Sequence, residues 1–240
     1  MRSESTSEDV PFDRDVAERG GYVYTTVERL STRFAMDRQT RAMVSATDFR
    51  GRRVVDIGCG DGAATVTLHD TAGTAEVLGF DPAALAMPVA RRRAGERPLR
   101  FASASAYALP LPDDAVDIAH LRGVLHHMDE PRSAIKEAAR VSRIVAVLEP
   151  NGWNPAMKAI EKLSAYHRAH GERSFFAHTI DGWMKDAGLQ IVHRSFSGLV
   201  PYFCPDGAAR LLKQMEPLVE GLPGLRRIAC GAYVVVGQRP

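Results

Sequence analysis

The stretch Arg53-Val54-Val55-Asp56-Ile57-Gly58-Cys59-Gly60-Asp61-Gly62 constrains the fold more than any other part of this chain. Arg53 to Ile57 reads as a short buried strand, the three glycines as a tight turn, and the residues to about Asp70 as a helix. Without a Cβ, glycine reaches positive φ and lets a ligand lie directly against the backbone at a helix N-terminus. The unit repeats along the chain. Ala75 to Phe80 predicts a second strand and Pro82 to Ala94 a second helix, with Pro82 suited to a first turn. Leu99 to Ala102, Ala115 to Leu121 and Arg143 to Leu148 continue the strands, and Pro131 to Val141 is a further helix. Short apolar runs alternating with amphipathic helix-length segments predict an α/β domain.

After Glu149 the alternation is interrupted twice. Asn151 to Ser174 inserts a helix with Met157, Ile160 and Leu163 on one face, before Thr179 to Ala187 resumes the pattern. Pro201 to Arg227 separates the last two strands, Leu189 to Phe196 and Ala232 to Val236, and places Leu211, Leu212, Met215, Leu218 and Val219 at helical spacing. That apolar face either covers a substrate pocket, joins two subunits or completes the core. The chain divides into a tail and helical flap at 1–50 and a domain at 51–240 with cap insertions at about 151–175 and 201–228.

Charge separates two readings of the glycine loop. Gly58 to Ala63 satisfies a relaxed dinucleotide fingerprint, but Asp56 and Asp61 would set two carboxylates against a pyrophosphate. S-adenosylmethionine has no phosphate and carries a sulfonium and an ammonium, which the same carboxylates attract. Asp81, about twenty residues beyond the glycines, suits the ribose hydroxyls of either cofactor.

With these residues in place the sequence resembles the class I S-adenosylmethionine-dependent methyltransferases, and the likeness continues through Ala108-Leu109-Pro110-Leu111-Pro112-Asp113-Asp114 and Asp117 to His127. The resemblance implies a Rossmann-like, mostly parallel seven-stranded sheet with a reversed final strand, helices on both faces, a small helical cap and cofactor at the carboxyl edge. It implies that Asp56 and Gly58 meet the methionine moiety, Asp81 the ribose, and Ser105 and Ala106 the adenine. Leu121 and Arg122 would lie beside the methionine portion, with Gly60, Asp61 and Pro82 completing the set and Tyr22 and Tyr24 closing over it. Ser105 departs from the aspartate that many relatives carry there. Gly20 to Thr26 and Glu149 to Pro155 resemble a bacterial subgroup that tailors glycans or secondary metabolites.

Methyl transfer is an in-line displacement, so alignment in a dry pocket supplies much of the rate. A hydroxyl or protonated-amine acceptor also needs a base, for which His127 or His126 is a candidate, with Glu149 and Asn151 beside them. Tyr166, His167 and His170 put polar tips on the first insertion. The histidines lack a metal-ligand spacing such as HExxH, so no metal is expected, and Arg91 to Arg93 suit the end of a helix.

Composition bounds the remaining possibilities. A formal charge of +2 over 240 residues disfavours a nucleic-acid partner, and no apolar run approaches the length of a membrane span. Three cysteines without CxxC spacing and a polar, partly acidic start at Met1 to Val10 suit a cytoplasmic protein, monomeric or homodimeric, acting on a small molecule. The competing readings are a protein of the same fold that binds S-adenosylmethionine without methylating, as cyclase or scaffold, and an NAD-dependent oxidoreductase.

Overall fold

A computed structural model describes residues 16–18, 20–26, 29–163 and 173–240, so Tyr166, His167 and His170 lie outside the described residues. One helical turn at Val23–Thr26 precedes α1 (Leu30–Ala46), β1 (Arg53–Ile57), α2 (Ala63–Ala72), β2 (Glu76–Asp81), α3 (Ala86–Ala94) and β3 (Leu99–Ser103). There follow β4 (Val116–Arg122), a 3-10 turn at Leu125–His127, α4 (Pro131–Val141), β5 (Ser142–Pro150), α5 (Pro155–Leu163) and α6 (Ala177–Asp186). The chain ends with β6 (Gln190–Ser197), α7 (Asp206–Gly221), α8 (Pro223–Ala229) and β7 (Ala232–Gln238). The seven strands form one sheet in the order β3-β2-β1-β4-β5-β7-β6, with β7 antiparallel to both its neighbours and the other pairings parallel.

The order reverses between β1 and β4, where a crevice opens outside the carboxyl ends of parallel strands. Central strands buried on both faces require near-continuous apolar runs, and β1 and β7 have them. Side chains alternate between the faces. Val54, Ile118, Ala146 and Val234 pack with residues of α1, α2 and α3, while Val55, Ala119, Val145 and Val235 pack with residues of α4 and α6. Pro131 opens α4, whose Ala134, Ile135, Ala138 and Ala139 line the second core.

Two features differ from the sequence expectation, and a third narrows it. Pro82 lies outside a helix, because an Asp81 oxygen accepts from the Ala83 amide at 2.9 Å and the chain turns before α3 begins at Ala86. Helix α1, assigned by sequence to a flap, belongs to the layer on the sheet and buries Ala35, Thr40, Ala42 and Met43. In α7 the inward residues are Ala209, Glu216 and Val219, while Leu211 and Leu218 are 58% and 66% exposed, so its most apolar face does not complete the core. The helix is turned by charge: Arg38 of α1 holds both oxygens of Glu220 through its Nε and Nη2 at 2.9 and 2.6 Å.

Candidate cofactor and acceptor site

Three strand ends and the loops that follow them converge at the carboxyl edge. Gly58, Gly60 and Gly62 have φ of 76°, 53° and 79°, in the left-handed region that favours glycine. A Cβ on Gly58 would stand 2.2 Å from Val124 Cγ2, and one on Gly60 would stand 2.4 Å from the Tyr22 ring. The loop is thus a cradle that admits an aromatic ring where a side chain at Gly60 would stand. Gly58 and Cys59 donate to the Phe80 carbonyl, and the Gly60 amide donates to Asp81 Oδ2 at 2.9 Å, which ties the loop to the end of β2.

The acidic residues are disposed in three ways. Asp81 is 8% exposed and bridges the glycine loop to the turn at Ala83. Asp61 accepts from the Tyr22 amide at 3.1 Å and from the Thr25 hydroxyl, and Arg93 of α3 stands 3.2 Å away. Asp56 points beneath the sheet edge. Its oxygens meet His120 Nδ1 at 2.7 Å and the Thr65 hydroxyl at 2.5 Å, with Asp56 and His120 opposite each other in the β1–β4 register. The carboxylates of Asp56 and Asp61 therefore have cationic or donor partners inside the protein, and Asp81 is the acid at the end of β2. Among the described residues His120 Nε2, buried against Phe49, has no partner.

Burial also governs Cys59 in this loop. Removal from water pushes its thiol well above the usual range, and the Asp81 and Asp56 carboxylates push in the same direction.

A second cluster stands at the ends of β4 and β5. Glu149 is fully buried and accepts from the amides of Val124 and Leu125 at 2.8 Å each, from the His126 amide at 3.2 Å and from His126 Nδ1 at 2.7 Å. A carboxylate only accepts, so His126 Nδ1 carries the proton and Nε2 is the basic nitrogen. The His126 and His127 ring centroids lie 3.9 Å apart. Asn151, also fully buried, donates to the Arg227 and Cys230 carbonyls and so holds the end of α8.

Other predicted residues lie elsewhere on this edge. Arg122 turns onto α1, donating to Gln39, Thr40 and the Met36 carbonyl, and burial lowers its pKa from the usual value. Leu121 is buried in the core under α4. Tyr22 lies over Gly60, whereas Tyr24 packs on Tyr202 and Phe203. Ser105 and Ala106 stand in the turn after β3, where the Ser105 hydroxyl accepts from the Tyr107 amide. Sequence reasoning missed His120, Thr65, Arg93 and Val124. His120 was within reach, since it shares a face with Asp56 once β1 and β4 are paired; Arg93 comes from another helix and left no local signal.

The strand order, the reversed β7 and a glycine loop at the end of β1 define the class I methyltransferase fold. Residues 55–153 match the family model described as a methyltransferase domain. Over those residues the chain is similar to the methyltransferase domain family, and its fold is that of the class I, S-adenosylmethionine-dependent methyltransferases. Its fold is similar to a methyltransferase from Thermotoga maritima described as a possible histamine N-methyltransferase, at a TM-score of 0.70 and 22% identity over 95% of this chain and 98% of that one. It is also similar to the cyclase SpnF, at 0.64 and 23% over 96% and 92%. The demethylmenaquinone methyltransferase of Thermus thermophilus is 35% identical over 42% of this chain and 47% of its own length. A Streptomyces fradiae transposon protein is 32% identical over 55% of this chain and 38% of its own, so the chain spans less than half the length of these two curated relatives. The ring-admitting cradle and Asp81 fit S-adenosylmethionine, the cofactor of this class.

Proposed function

We propose that this chain transfers the methyl group of S-adenosylmethionine to an oxygen, nitrogen or carbon nucleophile of a small polar metabolite. The observation that carries the reading is the cradle at Gly58 to Gly62, joined to Asp81 and facing the turn that Glu149 anchors, within the span that matches the methyltransferase domain. When bound, the cofactor supplies an electrophilic methyl carbon on a cationic sulfur. Gly58, Gly60, Asp61 and Asp81 hold the nucleoside and methionine portions, with Pro82, Ser105, Ala106 and Leu121 around them and Tyr22 closing over the loop. Asp56 and Arg122 support the same site from beneath, one through Thr65 at the start of α2 and the other through α1.

For a hydroxyl or ammonium acceptor, His126 takes the proton at Nε2. Glu149 is the positioning residue, since its bond to Nδ1 fixes the tautomer and the orientation of the ring. His127, its ring tilted at 44° to that of His126, packs beside it.

S-adenosylhomocysteine should raise the melting midpoint and NADH should not. Incubation with labelled S-adenosylmethionine and pooled small acceptors should then yield a labelled product, and His126→Asn should slow labelling by about 10²- to 10⁴-fold with cofactor affinity retained. Stabilisation by NADH alone overturns the reading. Cofactor binding without any labelled product favours the reading as cyclase or scaffold, to which the likeness to SpnF and the serine at Ser105 both point.

A further inference from the structure

A cavity of about 600 Å³ opens beside the glycine loop, between the N-terminal turns of α1, α2 and α7. That volume is typical of a small-molecule site. Among the described residues that line it are three arginines, Arg29, Arg33 and Arg210, and one acid, Asp206. Asp206 stands in the first turn of α7, where a carboxylate is stabilised by its own helix. Among the described residues none of the three arginines makes an ion pair or a side-chain hydrogen bond. Arg38, Arg97, Arg140 and Arg194 do so with Glu220, Asp70, Glu137 and Asp181. Three unpaired guanidiniums along one cavity wall attract an anion that enters it.

Neighbouring hydroxyls do not fill that role. Thr32 donates to the Tyr202 carbonyl, Thr67 to the Ala63 carbonyl and Thr25 to Asp61, and among the described residues the cationic donors that line the cavity are guanidiniums. Guanidinium edges match carboxylate and phosphate oxygens in pairs. Ala63 and Thr67 place the cavity against the first turns of α2, the helix that leaves the glycine loop, and its positive end adds to the field. Leu30 and Met36 complete the wall with apolar surface.

We propose that this cavity seats an oxyanion of the methyl acceptor, so that the acceptor is a small molecule bearing a carboxylate or phosphate. The inference rests on the methyltransferase reading for the word acceptor, but the anion site itself can be tested without it. The rival source of an oxyanion is the carboxylate of the cofactor, and the experiment separates the two.

Full-length protein saturated with S-adenosylhomocysteine is titrated calorimetrically with citrate and with inorganic phosphate at constant ionic strength. Saturable binding is expected, weakened at least about tenfold by Arg33→Gln or Arg210→Gln and unchanged by Arg92→Gln, an exposed control on α3. Unliganded melting midpoints of all variants should match, because both cavity arginines are exposed. The same variants are titrated with S-adenosylhomocysteine and with 5′-methylthioadenosine, which lacks the amino-acid carboxylate. Weakening of the first but not the second assigns the cavity to the cofactor and overturns the proposal, as does equal anion binding by wild type and variants. In the labelled-methyl assay the product should be retained on anion exchange; labelling confined to neutral or cationic acceptors also overturns it. Failure of S-adenosylhomocysteine to bind removes the transferase reading alone, and arginine-dependent citrate binding in that sample still supports the anion site.

Discussion

Glu149 shows how a polar residue is kept inside this protein. Its carboxylate has no exposure and meets four donors, three of them amides or ring nitrogens of one short turn. Removing such an acceptor leaves those donors buried and unsatisfied, which costs more than the net gain from any one bond. Glu149→Ala should destabilise the protein by about 3–5 kcal/mol in urea unfolding. Glu149→Gln should cost about 1–3 kcal/mol, because the amide turns a donor toward a donor. A melt unchanged by either variant would show that the turn at Leu125–His127 does not depend on this carboxylate. The sequence marks Glu149 and His126 as polar groups near strand ends, but the bond between them joins residues 23 positions apart. Asp56 is the opposite case. Its place at the end of β1 is legible, yet strand alternation directs its side chain toward α1 and α2, where His120 and Thr65 take it up.

At the scale of elements, strand and helix bounds follow the apolar pattern to within a few residues, because a buried parallel strand and an amphipathic helix have different periods. The second insertion was harder to read. Its apolar residues left three roles open, whereas in the fold Arg38 grips Glu220 and the Gly198 and Leu199 amides donate to Glu220 and Glu216, which turns the acidic side of α7 onto α1 and the end of β6. These bonds link residues as far as 182 positions apart, and no local pattern reports them. Arg38→Leu should lower stability by about 1–3 kcal/mol through the loss of charge-assisted bonds to Glu220. It should also speed amide exchange in α7 ahead of β4 and β5. Uniform exchange across all elements would mean that α7 is not anchored in this way.

The whole molecule buries its cysteines unequally, which gives a probe of global packing. Burial pushes the Cys230 thiol up to about 12, with Glu220 adding to the shift, and raises Cys59 still by burial first. Cys204 is only half-buried. A thiol whose pKa lies far above the solution pH presents almost no thiolate. At pH 8 a disulfide reagent should therefore titrate Cys204 rapidly and the other two at the rate of unfolding; three fast equivalents would contradict the packing of the glycine loop and of β7.

The sequence by itself determined the α/β class, the place of the glycine cradle and the acid that closes β2, because backbone torsion and hydrophobic period are local properties written residue by residue. Only the tertiary structure decided which charges face one another. Asp61 meets Arg93, Asp56 meets His120, and arginines from the start of α1 and from α7, far apart in sequence, line one cavity. Electrostatic pairing depends on distance in space, and the chain brings those groups together only when the sheet has closed its order and the helices have packed upon it.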